Sequence, residues 1–311
     1  MVTVKTASID TVPSFYIDEY PVYEVEGVVS ITPHHTTFNE ETCRFGWDVN
    51  KSTINNIKEK SYYMHIDTGF HDAFSHWVFE SAVYLPLFLK LKSRYPLLKL
   101  LSSGHKNYKE SFYRSFGVEN DIVYTIENKS NIVFFPKYTT HHDKKIDNSY
   151  NNILLNFYNG FKKIDVEKEN HILYLPRGVR ENYSGNVYKI DCQGKLIEYF
   201  KNIENTAVYD SDNTINFTDQ ITLLRKSRKI LLNYGSSFNV NSFFAENSEI
   251  YVLGFDQHHI LFPILQMALN FSLSKGNKYT FIYKDSQSGN IHGYSFEKII
   301  ETISKDIVNT A

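Results

Sequence analysis

Between residues 171 and 253 short apolar runs alternate with stretches of helical periodicity, and few folds accommodate that order. A strand at Ile172 to Leu175 ends in Pro176-Arg177-Gly178, and a strand and helix follow over Gly185 to Asn202. Asn205 to Asp210 is again extended, a helix begins at Asp219-Gln220, and Ile230-Leu231-Leu232 leads to a Gly-Ser-Ser break. Ile250 to Leu253 is the next extended run. Strands separated in this way by helices build a doubly wound parallel sheet.

In such a sheet, ligands bind outside the carboxyl ends of the strands. Two breaks in the pattern carry chemistry there. Arg177 and Arg180 follow the strand at 172–175, and paired guanidiniums suit bidentate contact with a diphosphate; a solvated basic loop is the simpler reading. The second break, Gly235-Ser236-Ser237 with Asn241, places small donors and acceptors beside a glycine that lets backbone approach a ligand. A helix starting there would offer amides to phosphate, and a polar turn between buried strands is the plain alternative. No GxGxxG is present, so a dinucleotide fingerprint is absent. There is no G-x-S-x-G elbow for a serine hydrolase either.

The first half reads as short strands and turns up to residue 60, followed by a strand in YYMHIDTG and a helix from HDAFSHWVFES onward, which Pro86 kinks or breaks. Phe74, Trp77, Val78, Ala82 and Leu85 form its apolar face. Asp72, His76 and Glu80 fall four apart along one polar stripe, an arrangement suited to acid/base work; a surface histidine hydrogen-bonded on its helix has the same spacing. His71 and His76 are five apart with no Glu after the first, which rules out the HExxH zinc pattern. A strand over Leu97 to Leu101, a helix over Lys106 to Gly117, strands over 121–125 and 131–135 and a helix before a charged link complete this half. The composition shift near 155–170 divides the chain into a first lobe at 1–165 and a second at 166–311, with a last helix free to pack back on the first lobe.

The chain has 311 residues, 42% of them apolar and 22% charged, with a net charge of -2. That balance excludes a dominant nucleic-acid footprint. Cys43 and Cys192 are far apart and lack metal-site spacing, so no disulfide framework or metal site is expected. No apolar run reaches the length of a membrane span, and a cytoplasmic protein follows, compatible with peripheral contact at the inner face of a membrane. The sequence leaves the oligomeric state open.

Three islands, FSHWVFESAVYLPLF at 74–88, YLPRGVREN at 174–182 and FTDQITLLRKSRKILLNYGSSFNVNSFF at 217–244, occur in an order that resembles glycosyltransferase family 61, the DUF563 group, which includes surface-polysaccharide transferases. The resemblance spans about residues 65 to 255. It implies an α/β fold of the GT-B type, two Rossmann-like lobes with a cleft between them. It also implies a nucleotide-sugar donor, a glycan or glycoconjugate acceptor, inversion at the anomeric carbon, and no cofactor or Asp-x-Asp metal. Many members carry His-Gly-Ala where this chain has Gly-Ser-Ser, so a histidine near the donor is absent from that loop. On this reading His76 is the base, with Asp72 or Glu80 orienting it. Arg177 and Arg180 meet the diphosphate, and Gly235, Ser236, Ser237 and Asn241 hold the donor. A carbohydrate-binding or scaffold protein with a degenerate transferase fold is the alternative.

Overall fold

The computed structural model describes residues 13–26, 59–67, 74–102, 107–124, 130–139, 146, 148–161, 164, 166–176, 190, 192–209, 217–253, 263–282 and 295–308. The chain divides into two compact units, Met1–Lys162 and Lys163–Ala311.

The first unit is built on a six-stranded sheet. Its strands are β1 (Phe15–Ile17), β2 (Tyr20–Glu26), β3 (Ser61–His65), β4 (Lys99–Leu101), β5 (Ile122–Val123) and β6 (Asn131–Pro136). They stand in the order β1-β2-β6-β3-β4-β5. β6, β3, β4 and β5 are parallel, and β1 and β2 join the β6 edge as an antiparallel hairpin. Strand order reverses between β3 and β6, because β3 leads away on one side to β4 and β5 while β6 returns to its other side.

The helical segment after β3 is broken near Pro86, as expected, though not at the proline itself. It forms α1 (Phe74–Glu80), a 3-10 turn (Ala82–Tyr84) and α2 (Leu85–Arg94). The break comes one turn before Pro86 rather than at it. A proline has no N–H and its ring collides with the preceding turn, so it is tolerated within the first two positions of a helix. Pro86 occupies such a position in α2. Trp77, Val78, Ala82 and Leu85 are fully buried, as the apolar periodicity predicts. α3 (Asn107–Ser115) and α4 (Ser149–Gly160) pack through rings: Phe157 of α4 stacks on Phe112 of α3, with centroids 5.9 Å apart.

The second unit has a wholly parallel sheet of β7 (Glu169–Leu175), β8 (Thr206–Val208), β9 (Ser227–Asn233), β10 (Glu249–Leu253) and β11 (Lys278–Ile282), in the order β11-β10-β9-β7-β8. Helices α5 (Gln193–Lys201), α6 (Phe217–Lys226), α7 (Ser236–Phe244) and α8 (Pro263–Ser274) alternate with the strands, and α9 (Phe296–Val308) follows them. Numbered within the unit, the strand order is 2-1-3-4-5, a doubly wound arrangement. Parallel strands covered on both faces read as continuous apolar runs, and Ile230, Leu231 and Leu232 are all fully buried.

α5 and α9 cover one face, where Leu196, Phe200, Ile299 and Ile303 join Tyr174, Leu231, Tyr251 and Leu253 in one cluster. The last helix therefore packs on the sheet of its own unit, where Ile299 and Ile303 enter that cluster. On the α7 side, Phe244 meets Phe217 of α6 and Phe243 meets Phe271 of α8, at 5.2 and 4.8 Å. The chain is thus a mixed α/β protein with two sheets of Rossmann-like character.

Candidate functional site

Strand order reverses in the second unit between β7 and β9, and the chain leaves both strands at the same edge. Leu175, the last residue of β7, pairs with Leu232, and Asn233 of β9 pairs on its other side with Leu253. From Leu175 the chain passes Pro176 into the stretch that carries Arg177 and Arg180; both arginines lie outside the described residues. From Asn233 it turns through Tyr234, whose N–H donates to the Leu253 carbonyl at 2.7 Å, and Gly235 into α7.

Gly235 has φ 113° and ψ -153°, a conformation that a side chain would strain. That bend lets α7 start with only two residues between it and the strand end, its first bond running from the Asn239 N–H to the Gly235 carbonyl at 3.2 Å. The first turn of α7 thus presents amides that have no acceptor within their own helix, at the positive end of its dipole. Ser236 opens the helix, half-buried; the side chain of Ser237 lies outside the described residues.

Asn233 is a site residue that sequence reasoning missed. It is fully buried, its amide donates to Gln193 Oε1 of α5 at 3.4 Å, and its Oδ1 is buried without a protein partner. A buried acceptor without a partner is costly and calls for an explanation such as a water or a ligand. An asparagine closing the apolar run Ile230-Leu231-Leu232 was the available signal. Asn241 lies in the second turn of α7, buried, and its Oδ1 accepts from the Gln220 amide of α6. That bond joins α6 to α7.

In the first unit His76 and Glu80 meet across one turn of α1, Nδ1 to Oε1 at 2.8 Å. The Glu80 carboxylate is sealed from solvent, whereas His76 keeps 26% of its side chain exposed. If Nδ1 carries the proton toward Glu80, Nε2 is the basic nitrogen, the arrangement a carboxylate enforces on a general-base histidine. Asp72 lies outside the described residues.

Asp67, two residues beyond β3, was also missed. It is buried, accepts from Trp77 Nε1 at 2.8 Å and from the Ser102 hydroxyl at 3.2 Å, and has Lys109 Nζ at 3.8 Å. Lys109 is fully buried and stands over the Trp77 ring, 5.5 Å from its centroid. Since Trp77 adjoins His76 in α1, the carboxylate anchors the helix that displays the His76–Glu80 pair. Its partners lie far away in sequence, which hides the network from local reading.

At the β3/β6 reversal the Tyr138 hydroxyl donates to the His65 carbonyl at 2.7 Å, and His65 Nδ1 lies 2.8 Å from that hydroxyl. Burial, reinforced by the Asp67 charge, holds the Tyr138 phenol well above its usual range. The ring thus bridges the ends of the two strands as a neutral hydrogen-bonding group.

Among the described residues no group of three or more His, Cys, Asp or Glu is placed to hold a metal ion, and no helix is long and apolar enough to cross a membrane. A scan against protein-family models finds no match, and neither does a search of curated proteins.

Proposed function

We propose that the chain is an inverting glycosyltransferase that moves a sugar from a nucleoside-diphosphate donor to a glycan or glycoconjugate acceptor, in surface-polysaccharide synthesis at the cytoplasmic face of a membrane. A fold of this kind hosts many activities, so the reading has to rest on a site. The observation that carries it is the pairing of Leu175 with Leu232 at the strand-order reversal. Two separate islands of the sequence, Tyr174 to Asn182 and the Gly235-Ser236-Ser237 segment, depart from adjacent strands at one sheet edge.

Two guanidiniums, from Arg177 and Arg180, and the amino end of α7 would complement the charge that develops on a departing diphosphate. In the reaction proposed, His76 takes the proton of the acceptor hydroxyl, whose oxygen bonds to the anomeric carbon. The bond from that carbon to the diphosphate oxygen breaks, and its electron pair leaves with the phosphate. Glu80 holds the imidazole tautomer and balances the imidazolium formed. Asn233 adds an acceptor at the carboxyl end of β9, suited to a sugar hydroxyl or a base N–H.

One observation favours the alternative of a glycan-binding or scaffold protein with a degenerate transferase fold: Asn241 is held by Gln220. A thermal-shift panel of UDP-, GDP-, CMP- and TDP-linked sugars, followed by turnover with the best binder, separates the two. Stabilisation by one donor with release of its nucleotide supports transfer, and no shift with any donor supports the alternative.

A further inference from the structure

The outer face of the β1–β2 hairpin carries an aromatic patch beside the first turn of α4. Asp18 and Glu19 form the two-residue turn with φ of 49° and 67°, the mirror-image turn that suits strand twist. It sets Tyr16 opposite Pro21 and Phe15 opposite Val22. Because side chains alternate along a strand, Phe15, Ile17, Tyr20 and Val22 share the face toward the core, where Phe15 meets Phe134 edge-on at 5.8 Å. Tyr16, Pro21 and Tyr23 share the other face.

That second face lines an open cavity of about 430 Å³, bordered by Glu19, Lys137, Asn148 and Asn152. The volume lies within the roughly 300–1,000 Å³ range of small-molecule sites. Tyr16 leaves 58% of its surface in solvent, so its ring can be covered by a ligand without unpacking the core. Asn148 stands just before the first residue of α4, its side chain making no capping bond, and Asn152 lies four residues on, which puts both exposed amides on one side of the helix start. Each amide offers a donor and an acceptor in one plane. Glu19 and Lys137 carry opposite charges, so the cavity has no net charge with which to select an ion. Burial, then the nearby Tyr16, lifts the Tyr23 phenol above its usual value and keeps its hydroxyl a neutral donor.

We propose that this cavity is a saccharide-binding subsite, in which the Tyr16 and Tyr23 rings cover the C–H face of a sugar and Asn148 and Asn152 pair with its hydroxyls. Flat apolar rings beside neutral donor–acceptor pairs match a polyhydroxylated ring better than an ionic or a wholly apolar ligand. The subsite goes beyond the transfer reading and stands without it, since a chain that only held glycans would use the same surface.

Saturation-transfer NMR on the full chain, with maltohexaose, cellohexaose and chitohexaose as probes, tests it. Saturation is expected to reach at least one hexasaccharide, and Y16A and N152A, both at exposed positions, are each expected to weaken that binding about tenfold while leaving the unfolding midpoint in place. Absence of transfer to all three probes overturns the proposal, as does binding that persists unchanged in both variants. Nucleotide-sugar turnover is read in a separate assay, so failure of the subsite and failure of the transferase reading are distinguishable.

Discussion

His76 and Glu80 form a histidine–carboxylate pair in which only the histidine reaches solvent: Nδ1 and Oε1 are 2.8 Å apart, and the carboxylate is fully buried. A pair placed only to steady a surface helix would gain little from burying its acid, because exposed pairs already give the few tenths of a kcal/mol that such spacing provides. The burial suits a carboxylate that sets the tautomer of a base.

The first prediction follows from that asymmetry. H76A should lower sugar transfer by about 10²- to 10⁴-fold, the usual contribution of a general base, with nucleotide affinity unchanged. E80Q retains a hydrogen-bond acceptor but removes the charge, so its loss should be smaller and confined to the rate at saturating substrate. Transfer at the normal rate in H76A would remove the histidine from the reaction.

Asp67 gives a prediction about stability. Neutralising one member of a buried ion pair removes part of what compensates the other charge, and D67N should cost about 3 kcal/mol in urea unfolding. Lys109 is that other charge, with its Nζ 3.8 Å from the carboxylate. The double variant D67N/K109M should recover most of the loss, because the buried ammonium goes together with the carboxylate that faces it. A cost of D67N below about 1 kcal/mol, the range of exposed pairs, would show that the network does not carry α1.

His171 sets an acid limit on the second unit. Burial lowers its pKa below the usual 6.5, opposed by Glu169 and reinforced by Lys226, and its Nδ1 lies 3.0 Å from the Ser227 hydroxyl. The depressed value means that the unfolded chain takes up the proton first. Stability from this residue is therefore full above pH 6.5 and is lost as the pH falls through the folded value. An H171N variant should show a flatter decline of urea midpoint on acidification; an identical decline would contradict the assignment.

The central strands β9 and β10 of the second unit were legible because a parallel strand buried on both faces requires an unbroken apolar run. Leu231 and Val252 announce themselves in that way. Where structure depends on partners distant in sequence, the local text is silent. Asp67 finds Trp77, Ser102 and Lys109 only after folding, and Asn241 meets Gln220 from 21 residues away. Phe243-Phe244 reads as the approach to the next strand. The two residues instead finish α7, because the Gly235 bend begins the helix early and α6 and α8 supply aromatic partners. The His76–Glu80 spacing was visible as a helical stripe, but the burial of only one partner comes from packing around α1.

The central claim is that the β7/β9 edge binds the diphosphate of a nucleotide-sugar donor, and calorimetric titration of the full chain with UDP, GDP and TDP tests it most directly. One nucleoside diphosphate should bind. R177A/R180A should weaken that binding at least tenfold through loss of charge-assisted contacts, and G235A should weaken it by distorting the start of α7. No binding by any nucleotide, or the same affinity in all three proteins, would contradict the account.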